Sequence, residues 1–449
     1  MSSMTNWSGT VAFGATRVHA PSTVDELRAV VAAAPRIRAL GTAHSFSRVA
    51  DTDGELVSVA GLPETIEVDA VARTVTVAAG VRYGAVAQAV HAHGLALKNM
   101  GSLPHISVGG ACATGTHGSG PRNANLASSV RSVELVTADG TLAHLTRDAD
   151  PDRFPGTVVA LGALGVVVRL TLDLVPAYDL RQVVYLDLPP EQLTQERITE
   201  VLGSAYSTSL FTRWLGPEVE QVWLKRRVDG GADETGLPTD AHAPFPDTWC
   251  GAHLAGDAVH PLPSMPAENC TQQGGIVGPF HERLPHFRLE FTPSSGDEIQ
   301  SEYLLPAEHA GAAVAALSAI GHRIAPVLHV SEIRTVAADD LWLSPSYERD
   351  SVALHFTWLK DPDGVAAVLP VIEEALAPFA PRPHWGKVFA MAPDDVRAKY
   401  PRADDFRRLA AQTDPDGKFG NDFLDRYLPR CGSHRFVACS CELSAADER

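Results

Sequence analysis

Glu332 and Arg334 stand two residues apart in SEIRT, inside a run that alternates like a β-strand, so both side chains share one face. His355 and Thr357 repeat that spacing in LHFTW. A carboxylate, a guanidinium, an imidazole and a hydroxyl on such faces can hold and polarise a small polar substrate through hydrogen bonds. The plainer account is a structural ion pair and a satisfied polar contact at a sheet edge. Lys387 follows Trp-Gly in PHWGKVF at 383–389. A lysine becomes a base only where burial or a nearby cation lowers its pKa, and a lone lysine is ordinarily solvated.

Two further segments are built of small residues. Gly41, Thr42, Ala43, His44, Ser45 and Phe46 follow a strand, and a loop of this kind frees backbone N–H groups to hold a pyrophosphate. Residues 101–120 contain six glycines and no charged side chain, so their backbone must approach something closely. The interleaved Leu103, Ile106, Val108 and Cys112 argue against a flexible linker. The glycine order is not G-x-G-x-x-G, which disfavours a Rossmann nicotinamide site. Two such segments about sixty residues apart suggest one elongated nucleotide held between two subdomains. HERLPH at 281–286 resembles a zinc-protease motif, but its histidines are five apart and Pro285 breaks the required helix. No G-x-S-x-G nucleophile elbow is present. No metal site is expected.

The elements that must position these groups are legible in outline. Residues 1–176 read as alternating short strands and helices, beginning with a helix capped at Thr23 with Glu26 three residues on. Ile66–Asp69 and Thr74–Gly80 alternate with period two; Tyr83–His93 reads as a helix stopped at Gly94. VELVTADGTLAHLT reads as a hairpin turning at Asp139-Gly140, and GVVVRLTLDLVP as a buried strand closing the unit. Residues 177–375 carry Pro-rich connections, read as surface loop at Asp229–Met265, between strand-like pieces such as QVWLKRR and FRLEFTP. LHVSEIRTV and SVALHFTWL then suggest an antiparallel sheet under the helix AGAAVAALSAIG. Residues 376–429 read as a short helical return, and 430–449, with Cys431, Cys439 and Cys441, as a disordered tail.

Bulk composition narrows the class. Lys plus Arg is 37 against 54 for Asp plus Glu, a net charge of -17, which leaves no basic surplus for a nucleic-acid partner. No stretch approaches the roughly twenty apolar residues of a membrane span, and the N-terminus has no signal-peptide pattern. Six cysteines without Cys-x-x-Cys fit a reducing compartment. A cytoplasmic protein without membrane partners is expected, and nothing demands more than a monomer.

Taken in order, GTAHSF, NMGSLPHISVGGACATGTHGSG, LGALGVV, QVWLKRR, LPHFRLEFTPSSG, SEIRTVAAD, HFTW and RPHWGKVF resemble the vanillyl-alcohol-oxidase flavoprotein family, and within it closely the alditol oxidases. The similarity runs to about residue 429. It implies an α+β fold: a two-subdomain, PCMH-type FAD-binding domain (1–176), a cap domain with an antiparallel sheet flanked by helices (177–375), and a C-terminal return (376–429). It implies FAD joined covalently through His44. Around it would stand Gly41, Thr42, Ala43, Ser45, Phe46, Ser102, Ser107, Gly110, Ala111, Cys112, Ala113, Val167 and His384. The substrate would be a small polyol such as xylitol or sorbitol, held by Ser102, Glu332, Arg334, Thr357 and Lys387, with His355 close by. Hydride would leave the terminal carbon for the flavin, and molecular oxygen would end as hydrogen peroxide. Arg334 can stabilise a developing alkoxide, while either Lys387 or His355 can be the base.

Two positions depart from the family pattern. Ala43 stands where the family usually has glycine, and Gly101 where relatives often have alanine, leaving more room for oxygen. The sister aldonolactone oxidases share the His-Ser and HWGK elements and are the competing reading; a flavin-binding protein without turnover is a third.

Overall fold

The structure, a computed structural model, describes residues 4–228, 244–262, 265–291 and 296–430. The tail read from residue 430 onward, with its three cysteines, therefore lies outside the described residues apart from Arg430, as does part of Asp229–Met265.

Local chemistry explains the first elements. Thr23 accepts the Glu26 N–H and caps the helix Val24–Ala33, while the Glu26 carboxylate reaches back to Ser22. Asp139 accepts the Thr141 N–H, and Gly140 at φ +82 completes the hairpin between Val130–Val136 and Leu142–Thr146. Gly94, at φ +71, follows the helix Tyr83–His91.

Two larger sheets, beside a two-stranded pairing of Leu95–Ala96 with Val175–Pro176, carry the first part of the chain. Arg17–His19, Glu55–Ser58 and Ile37–Leu40 pair in parallel. An antiparallel sheet runs Ile66–Asp69, Thr74–Ala78, Val166–Asp173, Val130–Val136, Leu142–Thr146. The strand read as closing the unit thus lies at its centre. It arrives last in sequence and inserts between two earlier strands, with one face buried and the other half-buried.

The later chain forms a larger antiparallel sheet. Its central order is Asp179–Leu188, Val219–Arg227, Ser207–Thr212, Leu328–Val336, Ser351–Leu359, Glu298–Pro306. One face packs on the helices Gln195–Leu202, Ala310–Ala319 and Pro362–Leu376 through Tyr303, Ile333, Leu354, Phe356 and Trp358. The alternation that sends these inward turns Glu302, Glu332, Arg334, His355 and Thr357 to the opposite face. Residues 385–428 return to the first core, with Trp385, Phe406 and Phe419 buried among its side chains.

Two expectations need correction. Over its described residues, 287–291, FRLEFTP is not a strand: Phe287 makes an isolated bridge to Cys270, and 288–291 turn. The stretch read as surface loop is not all surface either, since Ala252 and His260 are buried, and His260, Pro261 and Leu262 line the main cavity.

Candidate active site

Both small-residue segments and the polar face of the large sheet line one continuous cavity. From the first part of the chain it takes Gly41, Thr42, Ala43, His44, Ser45, Phe46, Ser102, Ser107, Gly110, Ala111, Ala113 and Val167. From the large sheet it takes Glu302, Glu332, Arg334, His355 and Thr357; the return segment adds His384 and Lys387. Cys112 does not line it. It faces the other way on the helix Val108–Thr114, with its sulfur 3.3 Å from the Tyr83 hydroxyl.

The two segments touch through their glycines. A Cβ on Gly41 would come within 2.7 Å of Ser107 Oγ and 3.6 Å of the Gly110 Cα. Ala43 adopts φ +58, a left-handed conformation that glycine takes without cost. The 41–46 loop is braced from three sides. Trp7 stacks on His44 at 5.0 Å, Asn6 Nδ2 donates to Ser45 O at 3.0 Å, and Phe46 N donates to Gly386 O at 2.7 Å. Burial pushes the His44 imidazole down to about 4, and its Nδ1 is buried with no hydrogen-bond partner. Ser107 Oγ is likewise buried without one. Two orphaned polar atoms in a glycine-lined cradle are what a polar cofactor would satisfy.

At the sheet end, register does the assembling. Glu302 pairs with His355, and His355 with Glu332, so three strands place these side chains in one row. Arg334 lies one pleat beyond Glu332, and Thr357 one pleat beyond His355. Glu302 is the hub. Its carboxylate meets Arg334 Nη2 at 2.5 Å, Lys387 Nζ at 2.8 Å and His117 Nε2 at 3.3 Å. Its backbone carbonyl also receives the His384 N–H at 3.0 Å, which docks HWGK against the strand. Lys387 Nζ in turn lies 2.6 Å from His355 Nδ1, and His355 Nε2 lies 3.1 Å from Thr357 Oγ1. A lysine can only donate when charged, so Nδ1 accepts and Nε2–H donates to the hydroxyl.

Charge states follow from these neighbours. Burial alone would raise Glu302, but the Lys387 and Arg334 charges hold it well below the ordinary carboxylate range. Glu332 behaves the same way beside Arg334 and His286. Burial lowers Lys387, with Glu302 opposing, and pushes His355 down to about 4. Arg334, between two carboxylates, is raised despite its burial. The site therefore carries two carboxylates, the fixed Arg334 cation and a lysine whose proton burial loosens, around the neutral imidazole of His355.

Several participants were not legible beforehand. Glu302 and His117 were missed, although the polar alternation Glu298, Gln300, Glu302 in a buried strand was a usable signal. His286 was read only as half of a failed zinc motif. It lines the cavity and donates Nε2–H toward Glu332 Oε1 at 2.8 Å, whereas His281 packs on His91 elsewhere. No group of three or more His, Cys, Asp or Glu among the described residues can hold a metal.

Comparisons with known proteins agree with this geometry. Residues 15–146 match the family described as FAD binding domain, and 296–427 the family D-arabinono-1,4-lactone oxidase. An alditol oxidase from a Streptomyces sp. is 53% identical over 94% of this chain and 98% of its own. An L-gulono-1,4-lactone dehydrogenase of Mycobacterium tuberculosis is 29% identical over 94% and 98%. The solved cholesterol oxidase of B. sterolicum superposes with a TM-score of 0.73 at 16% identity, over 95% of this chain and 96% of that one, which shows the shared fold. By sequence, fold and the FAD-binding segment, the chain belongs to the alditol oxidase branch of the vanillyl-alcohol-oxidase flavoproteins.

Proposed function

We propose that the protein oxidises the terminal CH–OH of small alditols, xylitol and sorbitol among them, to the aldose, with oxygen reduced to hydrogen peroxide. The observation that carries this is the hydrogen-bonding row on the large sheet, Glu302, His355 and Glu332, flanked by Arg334, Thr357 and Lys387 on one cavity wall. A polyol offers only hydroxyls, so its recognition needs a rigid set of donors and acceptors. The 53% identity to an alditol oxidase supports the same substrate class.

FAD, when bound, supplies the hydride acceptor and passes electrons to oxygen. Gly41–Phe46 and Ser107–Ala113, with Val167 and His384, would hold it, and His44 would carry the covalent link through its unpartnered nitrogen. Glu332 accepts a substrate hydroxyl hydrogen, while Thr357, already accepting from His355, keeps its own proton to donate. Arg334 stays cationic and stabilises the oxygen as its proton leaves. Lys387 is the better base, because an imidazole held at about 4 is too weak to take a proton near neutral pH. Three free cysteines among the described residues, Cys112, Cys250 and Cys270, support a reducing, cytoplasmic setting.

The test is an anaerobic absorbance spectrum before and after xylitol. Bleaching of the flavin band, with peroxide on admitting air, is expected; a band unmoved by xylitol or sorbitol overturns the reading. The match of 296–427 to D-arabinono-1,4-lactone oxidase favours a lactone as second candidate, to be tried in the same cuvette. Covalent attachment is read separately: acid precipitation should leave flavin on the wild-type protein and release it from H44A.

A further inference from the structure

Lys225 is 1% exposed, lies on the strand Val219–Arg227, and does not line the cavity. Burying a lysine is costly unless its donors are met. All three are: by the Leu284 carbonyl, by the Pro285 carbonyl at 3.3 Å, and by His286 Nδ1 at 3.1 Å. The far side of that imidazole, Nε2, lies 2.8 Å from Glu332 Oε1. Arg334 Nε is farther from the same carboxylate, at 3.5 Å.

The protonation pattern follows from donor counting. While Lys225, which burial lowers to about 7, holds its third proton, it has no lone pair, so Nδ1 accepts, the ring proton sits on Nε2, and His286 donates to Glu332. Without Lys225 the imidazole is free to move its proton to Nδ1. It would then turn a lone pair toward the carboxylate it now holds. The same logic operates across the site, where Lys387 fixes His355 to donate to Thr357. The 284–286 loop, which follows the 3-10 turn Phe280–Glu282, brings two carbonyls and the ring together on one ammonium.

We propose that Lys225 is a positioning residue: acting through His286, it holds Glu332 as the acceptor that recognises a substrate hydroxyl. The proposal rests on the alditol reading for its substrate but not for its geometry. A merely structural lysine would tie the 284–286 loop to the sheet and change stability alone. The inference is therefore tested on the flavin-loaded protein by steady-state kinetics with xylitol. K225M should raise KM at least tenfold while kcat stays within threefold and flavin content is unchanged. H286Q presents an amide N–H to Glu332 with no lysine needed, so K225M should have little further effect on KM in that background. Equal effects of K225M in the wild-type and H286Q backgrounds, or an unchanged KM, would overturn it.

Should K225M fail to accumulate, H286Q against H286F decides, because Gln keeps the donor and Phe does not; equal KM values overturn the proposal. If xylitol fails to bleach the wild-type flavin, the substrate reading falls instead. The positioning inference is then read from the 15N shifts of His286. They should report the Nε2–H tautomer in the wild type and its loss in K225M or, without that variant, on replacing Lys225 by Gln; an unaltered tautomer overturns it.

Discussion

Replacing Glu302 by Gln removes one charge from the middle of the site while keeping its shape. The carboxylate meets Arg334 at 2.5 Å and Lys387 at 2.8 Å, and it is 1% exposed. E302Q leaves Glu332 as the one carboxylate of this row beside those two cations. Removing one member of a buried ion pair costs about 3–5 kcal/mol. A 449-residue chain has a urea m-value above the roughly 3 kcal/mol/M of small domains, so the unfolding midpoint should fall by up to about 1 M. Glu302 is also the strongest influence holding the Lys387 proton on, against burial. If Lys387 is the base, the rate of flavin reduction rises with pH as it deprotonates, and in E302Q that rise should move toward acid. Stopped-flow bleaching by xylitol across pH, beside urea titrations followed by flavin fluorescence, reads both effects. A variant as stable as the wild type, with its pH profile unmoved, would refute the hub role and the choice of base together.

Three further outcomes follow from the same geometry. K387A should keep bound yellow flavin but reduce it about 100-fold more slowly or worse, as expected for loss of a general base; wild-type bleaching removes Lys387 from the mechanism. In G101A, the added methyl would meet His117 O and Thr116 Cγ2 at 3.7 Å and Ile106 Cδ1 at 4.0 Å, ordinary contacts, so the protein should fold normally. Its reoxidation by oxygen should slow while bleaching by substrate stays near wild type, and unchanged reoxidation refutes the oxygen-access reading. Finally, burial holds His286 and His355 at about 4, against 6.5 in an open chain, so between those values the unfolded chain binds more protons. Their stabilising contribution is complete above pH 6.5 and is lost as pH falls toward 4, at up to about 1.4 kcal/mol per pH unit for each imidazole. Urea midpoints at pH 7.5 and pH 5 check this, and equal midpoints would show that these imidazoles are not held neutral.

What the chain settles locally, and what it leaves to packing, divides along physical lines. Period-two alternation put Glu332 with Arg334 and His355 with Thr357 on common faces, because strand geometry alone enforces it. The small-residue composition of 41–46 and 101–120 marked a cradle, since only small side chains let two backbones approach as Gly41 and Ser107 do. Capping at Thr23 and the turn at Asp139-Gly140 were likewise local. Nothing local says which strands become neighbours. The row from Glu302 through His355 to Glu332 exists only because strands 298–306, 351–359 and 328–336 pair in one register. His286 looked like debris of a metal motif until the fold carried it to Glu332, and Lys225 looked like any charged strand residue until two carbonyls and an imidazole closed around it. Side-chain periodicity is a property of the backbone and can be read in order; the partners that set charge, tautomer and reach come from residues tens of positions away, and only tertiary packing chooses them.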